Sequence, residues 1–125
     1  MEMTIEQRRD YDKLTKEQKE DFAYLERKNP NWSFDQVMTK VQFIIILDDP
    51  KGPLGTGGPK EPDPKDPAIW LTILGGVKVA LSKYKSISDS ITNAINGAIS
   101  SLKQMISLGI RKVGNAIEKI LDSIF

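Results

Sequence analysis

Apolar residues recur along this chain at helical rather than alternating spacing, and the elements they predict fall into three stretches. The first stretch opens with a repeat. Thr4-Ile5-Glu6-Gln7-Arg8-Arg9-Asp10-Tyr11-Asp12-Lys13-Leu14 is followed directly by Thr15-Lys16-Glu17-Gln18-Lys19-Glu20-Asp21-Phe22-Ala23-Tyr24-Leu25. Each copy begins on Thr with Gln three residues later, the capping-box arrangement in which the two residues satisfy each other's backbone N–H groups at a helix start. Ser33-Phe34-Asp35-Gln36 supplies a third box, and all three place an acid in the first turn, where the helix dipole favours it. Helices are therefore predicted over 5–13, 16–28 and 34–47, with Asn29-Pro30-Asn31-Trp32 as the turn before the third.

In the third helix Phe34, Val37, Met38, Val41, Ile44 and Ile45 fall on one face. The run Gln42-Phe43-Ile44-Ile45-Ile46-Leu47 also suits a strand by β-propensity, but the phase carried back to Phe34 favours a helix. Residues 1–47 thus read as a helical docking module with a core of Tyr11, Leu14, Phe22, Leu25, Trp32, Phe34, Val37, Met38 and Val41. A unit of this size rarely gains more than a few kcal/mol from its own core, so it is expected to lean on a partner.

The second stretch, 48–67, holds six of the seven prolines and four of the nine glycines. Proline removes backbone donors and restricts the preceding residue, while glycine adds unfolded-state entropy, so no regular element is expected there. It reads as a linker, more flexible at Gly52–Gly58 and stiffer over Pro59–Pro67.

Asp66-Pro67 then starts the third stretch, with Asp as N-cap and Pro where its missing N–H costs nothing. From there one helical phase runs to the end. Its expected interaction face is Trp70, Ile73, Leu74, Val77, Leu81, Ile91, Ile95, Ile99, Leu102, Ile106, Ile110, Val113, Ile117, Leu121 and Ile124. Beyond residue 90 the spacing sharpens to an 11-residue period, seen in Ile91, Leu102, Val113 and Ile124 and in two parallel series. Residues 68–125 therefore read as an amphipathic helical anchor. A dozen such side chains are worth on the order of 25 kcal/mol if buried, more than the small first module is able to cover, so an external partner is expected to cover the stripe. Glycines at 75, 76, 97, 109 and 114, and a capping sequence at Ser86-Ile87-Ser88-Asp89, favour a hairpin of 67–84 on 87–124, or a kinked helix, over one rod. The fold class expected is all-α.

Composition narrows the chemistry. The chain has no Cys and no His, which removes disulfides, thiolate nucleophiles, Cys/His zinc sites and the side chain that titrates near neutrality. A non-enzymatic protein without cofactor or metal is expected. The Gly55-Thr56-Gly57-Gly58-Pro59-Lys60 cluster lacks the Lys-Ser/Thr spacing and following helix of a phosphate loop. Asp48, Asp49, Glu61, Asp63 and Asp66 read as solvated linker acids, without the spacing of a calcium loop. Asn31-Trp32-Ser33 matches a glycosylation sequon, but the residues after Met1 are charged rather than apolar, so no secretory leader is expected. Localisation is accordingly expected to be intracellular or within a large particle. The longest apolar run, Ala68–Leu81, falls short of the roughly 20 residues of a spanning helix and contains Lys78.

Net charge is +1 but uneven: −1 over 1–47, −2 over 48–67 and +4 over 68–125. Three functions follow in order. First is a structural or adaptor subunit docking onto a protein partner, or onto itself, through 68–125 within a larger assembly such as a virion or a secretion machine. Second is attachment to an anionic membrane surface. The stretch Ser86–Gly109 resembles lipid-packing-sensing amphipathic helices, with Ser, Thr, Asn and Gly opposite Ile, Leu and Met. Trp70, Lys78, Lys83, Lys85, Lys103, Arg111 and Lys112 suit such an interface. Nucleic acid ranks last. The turn Asn29-Pro30-Asn31-Trp32-Ser33 between two helices resembles the first turn of HMG-box domains, yet the N-terminal charges balance and no basic arm is present.

Overall fold

The computed structural model describes residues 1–48, 66–111 and 113–125, and among them it holds six α-helices and no strand. They are α1 (Ile5–Asp12), α2 (Lys16–Lys28), α3 (Phe34–Asp48), α4 (Pro67–Leu81), α5 (Asp89–Ser107) and α6 (Ala116–Asp122). The all-α class read from the sequence is the one the chain adopts.

The first three helices begin where reciprocal caps place them. Gln7 N–H donates to Thr4 Oγ1 at 3.1 Å and Thr4 N–H to Gln7 Oε1 at 2.9 Å. Thr15 and Gln18 exchange the same pair at 3.2 and 3.0 Å, as do Ser33 and Gln36 at 3.3 and 2.9 Å. The β-branched end of α3 is helical to Asp48. Tertiary packing overrides strand propensity here, because α3 lies between α2 and α4 and is buried on more than one stripe. Val37, Met38 and Val41 are fully buried, and Phe43 and Leu47 join them, while Ile44 and Ile45 are only half-buried. The expected linker lies, between Asp48 and Asp66, outside the described residues.

α4 starts on the expected cap, with Ala68 N–H donating to Asp66 Oδ1 at 2.8 Å and Pro67 in the first turn. It is the central helix, flanked by α3 and α5. Gly76 allows that closeness: a Cβ there would sit 3.1 Å from Ile46 Cδ1 on α3.

The C-terminal stripe is not one rod. Its helix stops at Leu81 and resumes at Asp89 after Ser88, so that α4 and α5 pack on each other. It stops again after Ser107. Gly109 takes a left-handed φ of +77°, Gly109 N–H donates to Ile106 O at 3.0 Å and Ile110 N–H to Met105 O at 2.9 Å. That pair of bonds is a Schellman cap, which satisfies the last carbonyls of α5 and turns the chain away. Gly114, at φ +49°, makes the second bend before α6. Side chains from both sides of the undescribed stretch share one buried core, from Leu14, Phe22 and Val37 to Trp70, Ile95, Leu102 and Ile124.

Candidate docking surface

The structure brings most of the expected interaction face inside. Trp70, Ile73, Leu74, Val77, Leu81, Ile91, Ile95, Leu102, Val113 and Ile124 are buried, and Ile99, Ile117 and Leu121 are half-buried against them. The stripe therefore finds its cover largely within its own chain, contrary to the expectation that only an external partner would cover it. The expected hairpin of 67–84 on 87–124 left its second arm unbroken, with no segment folding back over it. Bending at Gly109 and Gly114 lets α6 return, and α3 and α4 cover the rest. The core expected of 1–47 is buried at Leu14, Phe22, Leu25, Phe34, Val37, Met38 and Val41, with Tyr11 and Trp32 half-buried around it.

Polar ties join the halves, and none was singled out in the sequence. Asp10, 1% exposed on α1, accepts from Ser86 N–H at 2.8 Å, from the Ser86 hydroxyl, from Lys85 N–H at 3.3 Å and from Lys13 Nζ at 3.2 Å. Burial alone would raise its pKa; the bonds from Ser86, Lys13 and Lys85 outweigh that and hold the carboxyl below the usual carboxylate value. Asp35 Oδ2 accepts from Ser88 N–H at 3.1 Å at the start of α5, where the Ser88 side chain itself makes no capping bond. At the chain's end Phe125 stacks on Trp32 at 5.1 Å and tilts against Phe43 at 5.8 Å. Gln36 Nε2 donates to the carbonyls of Ile124 and Phe125, each at 3.4 Å.

Two of the clefts on this surface are small. One of about 190 Å³ lies between α4 and α5, lined by Lys78, Tyr84, Ile87 and Ile95 among others, below the usual range for a small-molecule site. A second, of about 240 Å³, gathers Glu17, Asp21 and Asp48. Burial and the like charges of Glu17, Asp48 and Glu20 raise the Asp21 pKa. No group of three or more acidic side chains among the described residues is placed to hold a metal ion.

No protein-family model, curated protein or solved structure matches this chain.

What the fold leaves in water is one piece of the stripe. Ile106, in the last turn of α5, and Ile110 are each 40% exposed, and Leu108, between them, is 69% exposed where the chain turns toward α6. Elsewhere the exposed large apolar residues, such as Ile5 on α1, Tyr24 on α2 and Val79 on α4, stand singly, which is ordinary for a soluble surface. The three corner side chains together leave about 3–4 kcal/mol of unused transfer free energy, at ~2–3 kcal/mol for a whole side chain. Lys103 and Arg111 beside them are exposed, and the sequence from Ser90 to Ile117 contains no acidic residue. No helix among the described residues is long and apolar enough to cross a membrane.

Proposed function

We propose that this protein is a non-enzymatic adaptor subunit that attaches to a larger assembly through the corner between α5 and α6, leaving the rest of the bundle free. The observation that carries this reading is the exposure of Ile106 and Ile110, with Leu108 between them, at the end of a stripe whose other large side chains are covered or half-covered. A folded chain gains nothing internally from holding three adjacent large apolar residues in water, so a contact outside the chain is what rewards them. The lack of Cys and His supports a role in contact rather than catalysis, since the groups that most often act as nucleophile or base near neutral pH are missing.

The test is the double variant Leu108→Asp with Ile110→Asp in cells producing the full chain. The wild type is expected in a rapidly sedimenting or particulate fraction, and the double variant in the soluble fraction with an unchanged far-ultraviolet circular dichroism spectrum. A control variant, Ile5→Asp on α1, should behave as wild type. If the double variant sediments with the wild type, the corner is not the point of attachment. A second reading, attachment to a membrane surface through the same corner, is favoured by the charge around it.

A further inference from the structure

We infer that the surface met by the α5–α6 corner is an anionic lipid bilayer, with Leu108, Ile106 and Ile110 entering the headgroup region and Lys103 and Arg111 resting on it. This rests on the reading of the corner as the attachment point and names what it attaches to. Size and charge select lipid over a protein partner.

The exposed parts of these three side chains are a minor fraction of the about 800 Å² that each side of a stable protein–protein interface buries. A second copy of this chain meeting the corner would be held too weakly to persist. A bilayer sets no such minimum. Apolar residues entering an interface contribute in proportion to their area, and each basic residue at an anionic surface adds to them.

Charge points the same way. From Ser90 to Ile117 every formal charge is positive, and the nearest acids in sequence are Asp89 at the start of α5 and Glu118 within α6. Leu108 is the most exposed of the three apolar residues and follows the last residue of α5, with Lys103 one turn back on that helix and Arg111 three residues ahead. The Schellman cap matters for the same reason. It satisfies the carbonyls of Met105 and Ile106 within the chain, so the turn enters a less polar medium with fewer bare acceptors.

Purified full-length protein is mixed with vesicles of phosphatidylcholine containing about a third phosphatidylserine, and with vesicles of phosphatidylcholine alone, and bound protein is separated by flotation. Binding to the anionic vesicles is expected, falling about tenfold or more in Lys103→Gln with Arg111→Gln, and falling in high salt as the screening length shortens. A Leu108→Trp variant reports insertion directly, through a blue shift of its added fluorescence on anionic vesicles beyond any shift of the wild type.

Absence of flotation by the wild type overturns the proposal. So does equal flotation by Leu108→Asp with Ile110→Asp, or no added shift from Leu108→Trp. A defined lipid-free oligomer abolished by that Asp pair assigns the corner to a second copy and also overturns it. If flotation fails while corner-dependent sedimentation in cells persists, the lipid assignment falls and the attachment reading stands. Failure of both removes the reading itself.

Discussion

Asp10 and Asp21 occupy the same place in the two copies of the N-terminal repeat, and their surroundings drive them in opposite directions. Ser86, Lys13 and Lys85 stabilise the ionised form of Asp10; burial and the acids Glu17, Asp48 and Glu20 destabilise that of Asp21. A carboxyl whose folded pKa lies below its unfolded value adds stability above about pH 4 and loses it as pH falls through the folded pKa. Asp10→Asn should therefore destabilise the protein at pH 7 and flatten the loss of stability on acidification. Asp21→Asn, with the opposite sign, should stabilise it at pH 7 and cease to do so in acid. Urea unfolding at pH 7 and near pH 3 reads both. Asp10→Ala leaves the Ser86 and Lys85 donors without their acceptor, and about 2–4 kcal/mol of lost stability is expected. The repeat made the spacing of these acids plain in the sequence. Their partners were not, because Ser86 and Lys85 lie far along the chain and only tertiary packing brings them to Asp10.

Among the elements, those with chemical punctuation at their ends were readable. Thr4, Thr15, Ser33 and Asp66 each begin a helix because each side chain accepts a bond from an early backbone N–H. The stop after α5 was harder to read. Val113 and Ile117 continue the phase of Ile106 and Ile110, so periodicity alone carries the helix straight through Gly109. What ends it is a left-handed backbone angle, which the sequence marks only as one glycine among five in that half. Gly109 and Gly97 form a matched test, since an added Cβ meets nothing within 4 Å at either position. At Gly97, inside α5, alanine should stabilise by about 0.5–1 kcal/mol; at Gly109, alanine should destabilise by about 1–2 kcal/mol. Thermal unfolding of the two single variants checks the contrast. The candidate surface was legible only in part: Ile106 and Ile110 stood in the stripe, but Leu108 fell outside its phase and gained its exposure from the turn.

At the scale of the molecule, the sequence suggested modules on a tether, whereas the described residues share a core and polar ties cross between them. Cooperative unfolding is the consequence. Trp32 reports the first half and Trp70 the second, so Trp32→Phe and Trp70→Phe variants should give coincident fluorescence transitions in denaturant; separated midpoints would show halves that melt apart. The returning α6 has an outcome of its own. It reaches Trp32 and Gln36 only because two glycines bend a run that otherwise keeps helical phase, and it adds few contacts to α5. Replacing both bends, as Gly109→Ala with Gly114→Ala, penalises the closed turn and rewards straightening. The end segment then has no route to its own Trp32, while the same berth stands empty on a neighbouring molecule. Reciprocal exchange of that segment would give a domain-swapped dimer, visible as a doubled mass in light scattering and growing with the concentration at which the protein is refolded.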